Sequence, residues 1–190
     1  MKIVIIGCGF AGLSLANMLS ESHQITIFDK FKVAQPVGAG IMLQPSSQII
    51  LNNLGYQDKL QKEGEIIDKI VGLNQHKKQV FLTQYKDFNE NYFGLGIQRG
   101  SLFTWLYQSL LKKDNVRINL DTEINHINDL NGYDLVVIAN GTHSTLRQQL
   151  PLKQKYNMWR GEELFLEFKA SQSKVTLGRV FPDSYFSESL

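Results

Sequence analysis

Three glycines and one aspartate carry the plainest chemistry in this chain. They are Gly7, Gly9 and Gly12 in the run Gly7-Cys8-Gly9-Phe10-Ala11-Gly12, and Asp29 further on. In that spacing Gly7 permits a sharp turn out of a strand. Gly9 leaves room for a diphosphate where a Cβ would stand, and Gly12 lets a helix lie close on a sheet. A helix N-terminus after such a turn offers unpaired N–H groups and a positive dipole end to that diphosphate. The Asp29 carboxylate can accept hydrogen bonds from ribose hydroxyls and would repel a 2′-phosphate. The chemistry indicated is dinucleotide binding, with FAD or NAD preferred to NADP.

The elements that must position these residues are legible on both sides. Ile3 to Ile6 is an apolar, β-branched strand, Leu13 to Leu19 is helical, and Ile25-Thr26-Ile27-Phe28 is a second strand ending at Asp29. Cys8 occupies an unconstrained position of the turn and reads as a small packed side chain rather than a reactive thiol.

The whole chain sets outer bounds. Its 190 residues suffice for one large or two small domains and can bury roughly 70% of the unfolded surface. Twenty basic against eighteen acidic residues leave +2 with no basic block, which asks for neither nucleic acid nor a charged membrane. One cysteine excludes an internal disulfide and suits a reducing compartment. The apolar start is too short for a signal peptide or a membrane span. A soluble cytoplasmic protein is expected, with no internal repeat.

Beyond Lys30 comes Gln35-Pro36-Val37-Gly38-Ala39-Gly40-Ile41-Met42-Leu43-Gln44-Pro45, small residues ending in a short strand, as where backbone runs close to something bulky. Ser46 is expected to cap a helix carrying Ile49, Ile50 and Leu54, closed by Gly55. From Ile66 to Ile97 short apolar runs at 66–73, 80–82 and 92–97 alternate with polar turns, the pattern of antiparallel sheet inserted between halves of a parallel one. Phe81, Tyr85, Phe88, Tyr92 and Phe93 there either line a pocket or form core, core being the commoner use. Arg99 follows, and Ser101 starts a helix burying Leu102, Trp105, Leu106 and Leu110. Placed just before that helix, Arg99 is read as a phosphate or flavin contact. Strands are expected at 116–119 and 123–127, then an Asn131-Gly132 turn. The run Asp134 to Ala139 reads as a strand buried on both faces. It ends in Asn140-Gly141-Thr142-His143-Ser144, at the same carboxyl edge as the first glycines. His143 is taken as an ordinary loop residue.

Taken together, the glycine motif, Asp29, Pro36-Val37-Gly38-Ala39-Gly40-Ile41 with Gln44-Pro45, Arg99 before its helix, and Asp134-Leu135-Val136-Val137-Ile138-Ala139-Asn140-Gly141 with Ser144 and Arg147 resemble the single-component FAD-dependent aromatic hydroxylases. This is the para-hydroxybenzoate hydroxylase-like family, which includes salicylate, urate and ubiquinone-pathway hydroxylases. The match runs in order from residue 2 to about residue 150. The resemblance implies an α/β fold: a Rossmann-like FAD-binding parallel sheet with inserted antiparallel strands of an incomplete substrate domain. The implied segments are 1–65 and 98–150 for FAD binding, 66–97 as inserted substrate-domain strands, and 151–190 as the start of a truncated substrate domain.

It also implies that Gly7, Gly9, Ala11 and Gly12 hold the pyrophosphate, and Asp29 and Lys30 the adenosine ribose. Met42 and Arg99 would meet the middle and flavin end, Ile124 would give backbone contacts near the adenine, and Asn140 and Gly141 would stand at the flavin and nicotinamide sites. In such enzymes NADH or NADPH is the transient electron donor, and a flavin hydroperoxide delivers one oxygen atom to a small aromatic substrate. Such chemistry does not always need a side-chain acid or base, so no catalytic residue is named, and no metal is expected.

The chain departs from the family pattern twice. Asn140-Gly141 stands where Asp-Gly is usual, so a neutral amide replaces a charge. The family's later Gly-Asp motif is absent from these 190 residues, whereas relatives run to roughly twice the length. The strand at 135–139 would then be an uncovered edge that invites a homodimer or a complementing C-terminal chain. Two alternatives stay open: a non-enzymatic remnant or interaction module, and an NAD-dependent reductase or dehydrogenase.

Overall fold

The computed structural model describes residues 1–35, 39–141 and 143–150. Residues 36–38 of the expected glycine-rich loop, Thr142 and the segment 151–190, expected as the start of a substrate domain, lie outside them. The chain divides into two compact units. One takes in Met1–Ala39 and the described residues from Arg99 onward, and the other takes in Gly40–Gln98.

In the first unit, β1 (Lys2–Ile6), α1 (Phe10–Leu19) and β2 (Gln24–Phe28) form a β-α-β unit whose strands pair in parallel, Lys2 opposite Gln24 through Ile6 opposite Phe28. β1 lies inside the sheet, so Ile3, Val4, Ile5 and Ile6 are at most 5% exposed. Because side chains alternate along a strand, Val4 and Ile6 share one face, where Leu130 and Leu146 complete a buried cluster. Ile5 points the other way, under Gly12 of α1.

The second unit begins with β3 (Gly40–Leu43), α2 (Pro45–Asn53) and α3 (Gln57–Glu63). Pro45 opens α2 with its fixed φ, and Ser46 does not cap it. Gly55 does follow its end, at φ +82°. The buried face of α2 is Leu51, while Ile49 and Ile50 are exposed. The helix is anchored instead by Gln48, whose Nε2 donates to the Leu43 and Phe93 carbonyls at 3.1 and 2.8 Å. α3 has no counterpart in the sequence expectation, because its residues, QDKLQKE, are polar except Leu60.

Antiparallel strands follow as expected: β4 (Glu65–Ile67), β5 (Lys69–Leu73), β6 (Gln79–Gln84) and β7 (Gly94–Gln98). β7 pairs with both β3 and β4, and β5 pairs with β6. Of the aromatic set, Tyr85 is buried, whereas Phe81, Phe88 and Tyr92 are exposed and are not core.

Back in the first unit, α4 (Arg99–Leu111) opens two residues before Ser101 and buries Leu102, Phe103, Trp105, Leu106 and Leu110. α4 packs on α1, and Asn17 Nδ2 bridges them by donating to the Leu13 and Leu106 carbonyls. Lys113 pairs with Glu21 at 2.9 Å.

β8 (Val116–Asn119) joins β2, and β9 (Leu135–Ile138) joins β1, giving the order β8-β2-β1-β9. Two expectations fail here. Residues 123–127 are not a strand, because the main chain there is held from the side: Gln149 bonds the Asn125 carbonyl and the Ile127 N–H. β9 is half-buried rather than buried on both faces, and Leu135 is 41% exposed, because among the described residues β9 has β1 as its one neighbour.

Candidate functional site

The glycine turn sits at the carboxyl edge of the parallel sheet, where ligands bind in open α/β folds. Gly7 leaves β1 at φ +114°, and its N–H donates to the Phe28 carbonyl at 2.8 Å. A Cβ on Gly7 would collide with the Ala139 carbonyl and come within 2.9 Å of Asn140 Cα, so the turn is wedged against the end of β9. A Cβ on Gly12 would overlap the Gly7 carbonyl oxygen, so only glycine lets α1 start this close to the strand.

Gly9 differs: among the described residues, its chain neighbours apart, nothing lies within 4 Å of the place a Cβ would take. That free space faces out at the N-cap of α1, which has neither a side-chain cap nor an acid in its first turn. Its leading N–H groups therefore remain available to an anion.

Asp29, at the end of β2, turns back onto the same loop. Its Oδ2 accepts from the Cys8 N–H at 2.6 Å and its Oδ1 from the Phe31 N–H at 2.9 Å. An ionised carboxylate has about four acceptor positions, so Asp29 shapes the turn and still has capacity for a ligand hydroxyl. Burial, and secondarily the Asp29 charge, push the Cys8 thiol up from 9.0 to about 12. It is a protonated packing group at neutral pH, as expected of its place in the motif.

Arg99 heads α4 and reaches the turn from the other side. Its guanidinium carbon lies 5.2 Å from the centroid of the Phe10 ring, and its Nε is buried with no hydrogen-bond partner among the described residues. A buried donor without an acceptor is costly, and an anionic or carbonyl ligand would supply the acceptor. Asp29, Asn140 and Arg99 thus converge on the segment from Gly7 to Phe10.

The remaining expected residues are placed less tightly. Ala11 is exposed on the first turn of α1, and Lys30 is exposed with its Nζ over the Phe31 ring. Gly141 is exposed at φ +88°, beside exposed Asn140. Ile124 contributes its side chain to the cluster of Val4, Ile6, Leu130 and Leu146. Met42 lies in the other unit, on β3, where the Tyr85 hydroxyl donates to Gln44 Oε1 at 3.0 Å and lies 3.7 Å from Met42 Sδ. His143 is exposed. Phe10 was not singled out from the sequence. The available signal was an aromatic residue in a motif position with no fixed requirement, in a chain that also carries a prominent arginine.

A glycine turn opening an uncapped helix at the carboxyl edge of a parallel sheet, with a carboxylate closing the neighbouring strand, defines a dinucleotide-binding α/β unit. The family described as FAD binding domain matches residues 1–132, and the chain belongs to that family. Among curated proteins it is similar to the FAD-dependent monooxygenase dpasE of Apiospora sacchari, 29% identical over 192 residues, covering 91% of this chain and 38% of that protein. It is also similar to the FAD-dependent monooxygenase atnA of an Arthrinium species, 29% identical over 170 residues, covering 78% of this chain and 22% of that one. Among solved structures, the tetrameric form of 2-methyl-3-hydroxypyridine-5-carboxylic acid oxygenase shares the fold, with TM-score 0.69 and 22% identity over 81% of this chain and 43% of that chain. The chain therefore spans less than half the length of these relatives. Among the described residues no helix is long and apolar enough to cross a membrane.

Proposed function

We propose that this chain is the FAD-binding portion of a flavoprotein monooxygenase that uses NADH or NADPH to hydroxylate a small aromatic or related molecule. The observation that carries this reading is the convergence of Asp29, Asn140 and Arg99 on the turn from Gly7 to Phe10, in a chain of the FAD binding domain family. In this reading Gly7, Gly9, Ala11 and Gly12 present main-chain groups to the pyrophosphate. Asp29 and Lys30 take the adenosine ribose, and the Ile124 backbone lies near the adenine. Met42 and Arg99 meet the middle and flavin end, and Asn140 and Gly141 border the flavin.

Bound FAD would supply the redox chemistry, accepting a hydride equivalent and activating O₂ toward an electron-rich ring. The chain's own residues bind and orient that group. Gly9 gives way to the phosphates, the first turn of α1 donates N–H groups to them, and the Asp29 carboxylate keeps the turn in shape.

A homodimer or a complementing C-terminal chain at the β9 edge belongs to the same proposal, supported by the exposure of Leu135. A cytoplasmic location is consistent with the single protonated thiol of Cys8. The interaction-module alternative is not favoured, since the relatives above are named as monooxygenases.

The test is a titration of the purified 190-residue chain with FAD and, separately, with NAD. The expected result is a yellow protein, or uptake of added FAD with a shifted visible spectrum and tighter binding than NAD. A colourless chain that takes up no FAD would overturn the proposal.

A further inference from the structure

We infer that Phe10 is a positioning residue for Arg99: its ring holds the guanidinium beside the glycine turn while leaving the in-plane N–H donors free for the bound dinucleotide. The inference rests on the FAD reading above and goes beyond it, because it assigns a role to a side chain that the glycine motif leaves unspecified.

The geometry supports it in three steps. The Arg99 guanidinium carbon lies 5.2 Å from the Phe10 centroid, within the range of a cation–π contact. Such a contact holds the guanidinium electrostatically over the ring and requires no acceptor atom for its N–H donors. The buried Arg99 Nε correspondingly has no acceptor among the described residues. An ion pair with a carboxylate would have held the arginine equally well, but it would have used those donors and cancelled the charge.

The ring is itself held in place. Phe10 meets Phe103 edge to face, with centroids 6.0 Å apart and planes at 88°, and Phe103 stacks on Tyr107 at 6.0 Å and 15°. Phe103 is 6% exposed on α4, the helix that Arg99 heads. The aromatic row thus ties the first residue of α1 to α4 and holds the Phe10 ring by packing. A leucine at position 10 would fill much of the same space without a π face.

A double-mutant cycle on the full chain tests this, with FAD affinity read from flavin fluorescence for the unsubstituted protein, Phe10→Leu, Arg99→Gln and the double variant. Each single change is expected to weaken FAD binding about 3- to 30-fold. The double variant should bind no more weakly than Arg99→Gln alone, and Phe10→Tyr should retain near-normal affinity. A second readout needs no ligand: the Arg99 Nε–H proton resonance should be displaced by the aromatic ring in the unsubstituted chain and in Phe10→Tyr, and return toward its ordinary position in Phe10→Leu. Additive losses in the cycle, or an undisplaced Arg99 resonance in the unsubstituted chain, overturn the inference and leave the FAD reading standing. Failure of the unsubstituted chain to bind FAD overturns both.

Discussion

β1 and β6 are both apolar strands, yet they meet opposite fates. Ile3 to Ile6 of β1 are at most 5% exposed, whereas Val80, Phe81 and Leu82 of β6 are 44–51% exposed. β1 has a paired strand on each side, α1 close on one face and the Leu130 and Leu146 cluster on the other. β6 pairs with β5 alone among the described residues, and the Phe81 ring of β6 lies over Gly72 of β5. Apolar composition makes a strand, but burial comes only from what covers it. The site lies at the end of the covered strand β1, because a diphosphate cradle needs a backbone that does not yield.

The comparison can be broken hardest at Gly12. Gly12→Val places a side chain on the Gly7 carbonyl oxygen, and the backbone on both sides has no room to move. A loss of about 3 kcal/mol or more in denaturant unfolding is expected, together with loss of FAD uptake. Ile5→Ala comes next: it leaves a cavity under α1 and should cost about 2–4 kcal/mol in the same measurement, with FAD uptake surviving below the new melting point.

The dryness of the turn can be read through Cys8. The folded thiol keeps its proton up to about 12, while the unfolded chain releases it above 9.0. Between those values the folded state binds more protons, so this contribution to stability is intact below pH 9 and declines as pH rises toward 12. Thermal unfolding followed from pH 8 to 11 should show that decline, and Cys8→Ala should flatten it. Iodoacetamide should label Cys8 at pH 8 only after unfolding. The smallest effect is expected at Leu82→Thr on β6, within about 0.5 kcal/mol, since that side chain is already half in water. A large loss there would show that β6 is covered after all.

How legible each part was follows from how local its physics is. The β1-turn-α1-β2 unit could be read because glycine spacing, a β-branched run and a helical period are all short-range signals. Asp29 stands directly after β2, where the sequence expects the second strand to end. Its hydrogen bond to the Cys8 N–H was not foreseen, because that depends on how β2 registers against β1. The strand expected at 123–127 failed for a similar reason: a suitable local pattern found its hydrogen bonds in Gln149 instead of a neighbouring strand. Ser46 falls inside α2 instead of capping it, because the helix already opens at Pro45, whose ring supplies the first helical φ. α3 escaped notice because a short polar helix with one buried residue, Leu60, has almost no period to detect.

The sequence by itself determined the dinucleotide turn and its family, since Gly7, Gly9, Gly12 and Asp29 act through backbone geometry and charge that a few neighbouring residues define. Only the tertiary structure decided that Arg99 lies over Phe10, that Asn140 abuts Gly7, and that β9 is half-exposed. Those facts join residues some 90 to 130 positions apart, and such contacts are set by strand order and helix packing, which no local pattern of residue types encodes.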